Sequence, residues 1–568
     1  MKIWRVDMKS KQVTKEDTPL NWQHLGGRGL IARILIDEVP GICDPLGPKN
    51  KLIFAPGLLV GHRLSSCDRI SVGTKSPLTG GVKEANAGGK TGLQLTHLGI
   101  KALIIENLPG EQDFFILYLS QKSIQFLPAV ELAGKGVYET TKILVDKFGT
   151  SPAIALIGPG GEMKLASAGI QNIDKDGTPS RINARGGVGA VMGAKGLKAI
   201  VIDSSEGESP PLADEKKFKQ AQKEFQKALL AHPQTTVYAE YGTAAMTMMS
   251  NGFGAIPTRN FSSGQFEDAE KISGEFMRDL LMKRGGKAQT THACMAGCII
   301  RCSNVFADES GKAEIVSPLE YETIGLLGSN LGIGDLDWIA KLNWEVNDLG
   351  LDSIEIGAAL GVAAEAGLFQ FGDAQTALDL IKQIRAGTPL GRLIGSGTQT
   401  TGKVLGVSRI PVVKGQAMSA YEPRVIKGTG VTYATSPQGA DHTSGLTIRA
   451  KVDHQDPEGQ AKLSRNAQIN MAGYDTLGAC IFAGFGFSSA PQHTIRDLIN
   501  SRYGLTIEED ILQQLGKETL QLEREFNTSA GFTKADDRLP EWMYSEPVPP
   551  INPVFDVPDE DLDTIFDW

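Results

Sequence analysis

Three of the chain's six cysteines fall in one stretch, Thr291-His-Ala-Cys-Met-Ala-Gly-Cys-Ile-Ile-Arg-Cys-Ser-Asn304, at Cys294, Cys298 and Cys302. Thiolates are soft ligands, and such a group in a Cys-poor chain points to iron–sulfur or zinc chemistry. The Cys-x3-Cys-x3-Cys spacing also suits one face of a helix, where buried cysteine acts as a small hydrophobe. The two readings differ in backbone. A helix rises about 1.5 Å per residue and would hold Cys294 and Cys302 roughly 12 Å apart, too far for one cluster. Ligation therefore predicts a folded loop, which Gly297 and the polar Arg301-Cys-Ser-Asn304 allow, and a fourth ligand from elsewhere.

The scaffold that must position these thiols is large. At 568 residues the chain exceeds the size, about 250–300 residues, at which single cores stop growing, so two to four domains are expected. A hydrophobic content of 41% with 22% charged residues is that of a soluble globular protein. The net charge of −9 and the lack of a basic block argue against nucleic acid and anionic membrane as partners. No apolar run is long enough to span a bilayer, and Met1 to Met8 lacks a signal-peptide core. Membrane insertion is thus not expected, and a cytoplasmic location is, where cysteines serve as ligands more readily than as disulfides.

The first 200 residues read as short strands and tight turns. Lys2 to Asp7 alternates as a strand does, and Lys51 to Ala55, Ala102 to Glu106, Ala153 to Ile157 and Ala199 to Asp203 are apolar runs of strand length. Glycine-rich turns between them predict close backbone approach to a bulky ligand. Ser204-Ser-Glu-Gly-Glu-Ser-Pro-Pro211 marks a boundary. Beyond it Asp214 to Leu230, Trp338 to Gln370, Asp373 to Ala386 and Glu508 to Phe526 carry helical patterns, interrupted by an irregular Gly-rich region from Val412 to Gly445. The tail from Ser545 to Trp568 is Pro-rich and acidic, and is expected to run extended over the surface. The fold class is therefore α+β: a β-rich domain (residues 1–207), then two mainly helical domains (208–411 and 412–568). A short echo lies in the helical part. Asn347-Asp-Leu-Gly-Leu-Asp352 and Asp475-Thr-Leu-Gly-Ala-Cys480 share one form, although x-Leu-Gly-x at a helix end is also common capping chemistry.

In this context the chain resembles the tungsten-dependent aldehyde:ferredoxin oxidoreductase family over essentially its whole length. The resemblance lies in Gly26-Gly-Arg-Gly29, Thr74-Lys-Ser-Pro-Leu-Thr79, Asn86-Ala-Gly-Gly89, Ala184-Arg-Gly-Gly-Val-Gly189 and the residues following it to Lys195, Glu320-Tyr-Glu-Thr323, Gly328-Ser-Asn-Leu-Gly332, both echo loops, and Tyr433 to His442. It implies two sheets in the β-rich domain and, at the interface between domains, tungsten or molybdenum held by two pterin dithiolenes, with a four-iron–four-sulfur (4Fe–4S) cluster beside one pterin. The echo loops would each grip one pterin, through Asp352 and Asp475 with Gly478 at the turn; Asn347 stands where the family has Asp. Carboxylates suit the pterin's N–H edge. Cys480 matches the fourth cluster ligand, although the family's better-known spacing is Cys-x2-Cys-x3-Cys. Cys43 and Cys67 match no ligand position.

The resemblance also places Arg69 between cluster and pterin, where its charge would raise the cluster potential. The backbone carbonyls of Asn86 and Ala184 match positions holding a Mg²⁺ between pterin phosphates. Gly88, Gly89 and the Arg185-Gly186-Gly187 turn would line the phosphates, the turn by aiming backbone N–H groups. For the chemistry, Glu322 is expected to take a proton from water and His442 to hydrogen-bond the aldehyde oxygen, with Tyr321 as a further donor. Electrons would pass to ferredoxin or to an iron–sulfur partner subunit; a homo-oligomer is compatible with the sequence. The rival readings are a tungsten reductase of aromatic thioesters in a larger complex, a radical S-adenosylmethionine enzyme, a non-catalytic iron–sulfur electron-transfer subunit and a structural zinc site.

Overall fold

The computed structural model describes residues 1–110, 113–508 and 510–568. Its β-rich part contains two six-stranded sheets. The first comprises β1 (Lys2–Asp7), β2 (Gln12–Asp17), β3 (Leu52–Pro56), β4 (Ile70–Lys75), β5 (Val82–Ala87) and β6 (Ile100–Glu106), in the order 2-1-6-3-4-5. The second comprises β7 (Phe115–Ser120), β8 (Ile124–Pro128), β9 (Ala153–Leu156), β10 (Ile170–Ile173), β11 (Pro179–Asn183) and β12 (Leu197–Asp203), in the order 8-7-12-9-10-11. The two orders are one topology used twice. In each sheet the first and last strands pair parallel and all other pairs are antiparallel.

The apolar runs expected as strands are β1, β3, β6, β9 and β12. The remaining strands were not visible in the sequence. β2 is a polar edge strand, and β4, β5, β10 and β11 carry polar residues toward the centre of the molecule. The faces of the two sheets share one apolar core, in which Phe54, Val72 and Leu103 of the first pack with Leu117, Ala155 and Ile200 of the second.

Helices fill the rest. Glu215–Ala231 and Ala374–Arg385 lie where the charged-and-apolar periodicity predicts them, with Asp214 and Asp373 capping their N-termini. The helix expected from Glu508 runs from Ile511 to Ser529, and Glu509 lies outside the described residues. The pattern from Trp338 to Gln370 is two helices, Leu336–Leu349 and Ser353–Glu365, because Gly350 turns left-handed (φ +70) and ends the first. The stretch from Val412 to Gly445 is not purely irregular: it contains helix Lys427–Thr435, every residue of which is buried. The tail also departs from expectation. It is extended up to a short helix, Asp559–Asp563, and Phe555, Val557, Leu562 and Ile565 are buried in the core around Tyr321 and Tyr433, so it seals that core. No described helix is long and apolar enough to cross a membrane.

Candidate active site

The cysteine run is a loop between two short strands, β13 (Gln289–His292) and β14 (Ser303–Ala307), with Gly297 (φ +78) and Arg301 (φ +49) turning it. That excludes the helical reading. Cys294, Cys298, Cys302 and Cys480 all line one cavity of about 390 Å³. Ser66 ties them together: its hydroxyl lies 3.5 Å from Cys298 Sγ, and its carbonyl accepts the Cys480 N–H at 2.9 Å. Four thiols packed together repel one another's ionised forms. The Cys294 thiol is pushed well up by its contact with Cys298 and by burial, and burial pushes up Cys302 and Cys480. Cys298, stabilised by Cys294 and by Ser66, is held down to about 5. Such a set of soft, close, unbridged thiols fits a cationic cluster as its counter-charge. Cys67 is buried in the core and Cys43 is half-buried; neither lines the cavity.

The two echo loops reach the same cavity from opposite sides. Each ends a helix with a left-handed glycine, Gly350 or Gly478, and docks on the β-rich domain by matching bonds. Asp352 N–H donates to Ser167 O at 2.9 Å, as Cys480 N–H does to Ser66 O. Gly169 N–H donates to Gly350 O at 2.9 Å, as Arg69 N–H does to Gly478 O at 3.2 Å. Two of the glycine-rich turns make this docking possible. A Cβ on Gly57 would stand 2.0 Å from Gly478 N, and one on Gly158 would stand 2.4 Å from Leu349 O. At Gly57 and Gly158 the close backbone approach is to the echo loops themselves.

Among the side chains expected at the site, Arg69, Asn86, Gly88, Ala184, Arg185, Tyr321, Glu322, Asn347, Asp352, His442 and Asp475 line the cavity. Gly89, Gly186, Gly187 and Gly478 are not among its lining residues; a Cβ on Gly186 would meet the Lys83 side chain at 2.2 Å. Arg69 bonds Asn86 through both its side-chain amide oxygen and its carbonyl, the latter at 3.0 Å. Arg185 is buried and donates to Asp352 Oδ2 at 3.2 Å, Ala440 O at 2.7 Å and Ala417 O at 2.5 Å.

The Glu322 carboxylate accepts the Ala420 N–H at 2.7 Å through one oxygen. The other oxygen is buried, accepts no hydrogen bond, and lies 3.4 Å from His442 Nε2. Burial raises the Glu322 carboxyl above the usual range, against the pull of His442. His442 Nδ1 is bonded to Ser419 Oγ at 2.9 Å, which orients the ring. The Tyr321 hydroxyl donates to Ala420 O at 2.6 Å, and burial pushes its ionisation well up, so its proton is already committed.

Sequence reasoning missed several buried charges. Asp441 accepts Lys83 Nζ at 2.7 Å; burial alone would raise its carboxyl, but Lys83, Arg185 and His442 hold it well below the usual range. Glu84 and Arg181 also line the cavity, and Arg181 donates to Ser303 Oγ at 2.9 Å. Arg28, 1% exposed, forms a two-bond pair with Glu523 (2.8 Å each) and reaches Asp475 at 3.3 Å. Lys83, Glu84, Asp441 and Arg28 stand within or beside quoted motifs, which was the available signal.

Two family models match in tandem, aldehyde ferredoxin oxidoreductase, N-terminal domain, over residues 3–204 and aldehyde ferredoxin oxidoreductase, domains 2 and 3, over residues 220–565. The chain belongs to the aldehyde ferredoxin oxidoreductase family. It is 32% identical to the tungsten-containing aldehyde ferredoxin oxidoreductases of Thermococcus kodakarensis and Pyrococcus furiosus, covering 96% of this chain and 91% of each relative. It is 29% identical to an aliphatic sulfonate oxidoreductase, WOR-like subunit, of Pyrococcus furiosus, over 79% of this chain and 76% of that one. Among solved structures, the active-site complex BamBC of benzoyl coenzyme A reductase with 1,5-dienoyl-CoA superposes with a TM-score of 0.79 at 20% identity, over 95% of this chain and 90% of that chain. That likeness is one of fold.

Proposed function

We propose that this family member is a tungsten–bis-pterin oxidoreductase that oxidises an aldehyde to its carboxylate with water and passes two electrons to ferredoxin or to an iron–sulfur partner subunit. One observation carries the reading. Four thiols, the two echo loops and a Glu322–His442 pair 3.4 Å apart converge on a single cavity. The residues fit the cofactors: the thiols are unbridged, and Gln171, which lines the cavity, has a buried side-chain oxygen with no hydrogen-bond partner. Cys294, Cys298, Cys302 and Cys480 would hold a 4Fe–4S cluster. Asp475 and Asp352, with Asn347, would hold the pterins, and the carbonyls of Asn86 and Ala184 a Mg²⁺. The pterin-bound metal, when present, supplies the two-electron redox chemistry.

The chain's own part is proton handling and orientation. Glu322, its second oxygen beside His442 and its carboxyl raised by burial, accepts a proton from the attacking water. His442, fixed through Ser419, donates to the aldehyde oxygen as charge develops there. Arg185 holds Asp352 in place, and Arg69 stands between the Asn86 carbonyl and the cluster side. Elemental analysis of anaerobically purified protein tests the reading: iron and tungsten together are expected, with aldehyde-dependent reduction of a viologen dye. Iron alone or zinc alone would overturn it. The second reading, a tungsten reductase of aromatic thioesters within a larger complex, draws on the benzoyl coenzyme A reductase fold likeness. Protein that contains tungsten, leaves aldehydes untouched and reduces an aromatic thioester would favour it.

A further inference from the structure

The two echo loops meet differently charged walls. Beside loop 347–352 the wall is the β10–β11 ladder, where Gln171 stands opposite Ile182 and neither is acidic. Both Asp352 oxygens are engaged there, one by Ile354 N–H at 2.9 Å and the other by Arg185 at 3.2 Å. Beside loop 475–480 the wall is the matching β4–β5 ladder, where Ser71 stands opposite Asn86 and Gly73 opposite Glu84. Glu84 lines the cavity, and its residue is 5% exposed. Strand alternation sends its neighbour Lys83 to the other face, where Asp441 takes it.

Glu84, Asp475 and Glu523 thus face one guanidinium, Arg28, and Glu523 takes two of its bonds. Asp475 receives only the 3.3 Å bond from Arg28. Glu84 Oε1 receives a 3.4 Å contact from Asn86 Nδ2, and Ser71 supplies a hydroxyl. An ionised carboxylate offers about four acceptor sites. Both carboxylates line the one cavity, and the donors named above fill only part of the acceptor sites that each offers when ionised.

We propose that Glu84 binds the N–H donor edge of the pterin on the cluster side, together with Asp475, so that this pterin is gripped by an acid from each of two domains while the other is gripped by one. The proposal rests on the pterin reading above. The pterin's amino and ring N–H groups supply the donors that Arg28 does not. Glu84 is then what distinguishes the two pterin seats on the β-rich side, as Cys480 is on the helical side.

The test uses full-length protein purified anaerobically, with iron, tungsten and pterin counted per chain. Removing a supporting partner of a metal site weakens its hold about 10–100-fold. Glu84→Ala is expected to lose most of its tungsten and pterin in dialysis that leaves the wild type loaded, with iron per chain unchanged because no cysteine is touched. Glu84→Gln keeps the side chain's shape and one acceptor, so it is expected to hold tungsten but to show a shifted tungsten electron paramagnetic resonance signal. Should Glu84→Ala retain tungsten and pterin as the wild type does, or Glu84→Gln give the wild-type signal with wild-type loading, Glu84 does not touch the pterin. Wild-type protein without pterin would overturn this proposal and the proposed function together, which separates the two failures.

Discussion

The first and second sheets of the β-rich domain are one design used twice, and each docks one echo loop through the same pair of backbone bonds. Among the positions at which the loops differ is the last residue. Cys480 stands where its counterpart has Asp352, both donating N–H to a serine carbonyl at 2.9 Å. On the first side Cys480 lines the cavity together with the other three cysteines. A carboxylate on the second side caps helix Ser353–Glu365, which a Thr323–Ser353 hydroxyl contact of 2.9 Å joins to the helix carrying Glu322. Duplicated backbone thus carries a thiol toward the cysteine loop on one side and a helix cap toward the helix of Glu322 on the other. Backbone bonds carry the shared geometry, so side chains are free to diverge.

The largest expected effect comes from erasing that difference. Cys480→Asp copies the second loop onto the first; iron per chain and the visible absorption of the cluster should collapse, and intact cluster absorption would show that the fourth ligand lies elsewhere. Next, Glu322→Gln should lower kcat roughly 10²–10⁴-fold with tungsten retained. Because burial raises the Glu322 carboxyl in the folded state, its base form is lost as pH falls through that raised value. The wild-type rate should therefore show an acid limb above the ordinary glutamate range that Glu322→Gln lacks. The same sign makes ionised Glu322 a cost to folding, fully present above the raised value. Glu322→Gln should accordingly melt higher than the wild type at neutral pH, and that gain should vanish in acid.

Smaller effects compare how the loops are anchored. On the first side Glu523→Ala strands Arg28 in the core and should cost about 3–5 kcal/mol in denaturant unfolding. On the second side Asp348 of the echo loop accepts Tyr138 N–H at 3.0 Å and Arg385 at 2.8 Å. Arg385 is 33% exposed, so Arg385→Ala should cost about 1 kcal/mol or less. Equal costs at the two sites would mean that the loops are anchored alike and that the asymmetry is confined to their ends.

Much of the frame was legible. β1 alternates, β3, β6, β9 and β12 are apolar runs that are largely buried, and helices 215–231 and 374–385 show their caps and periodicity in the sequence. The strands that carry the site were not legible. In β5, Lys83 turns to Asp441 and Glu84 to the cavity, so polar residues point both ways and no alternation survives. The tail was misjudged because its prolines and acids hide four residues, Phe555, Val557, Leu562 and Ile565, that fill a core assembled from distant segments.

The sequence by itself determined the loop at Cys294–Cys302, since three thiolates spaced by four cannot share a cluster from a helix, and its motifs carried the family resemblance. Only the tertiary structure brought Cys480 to that loop, set Glu322 against His442, and placed Glu84 and Asp475 around one arginine. Those meetings span tens to hundreds of residues. No local pattern encodes them, because they follow from which apolar faces bury together and from two copies of one sheet each seating a loop.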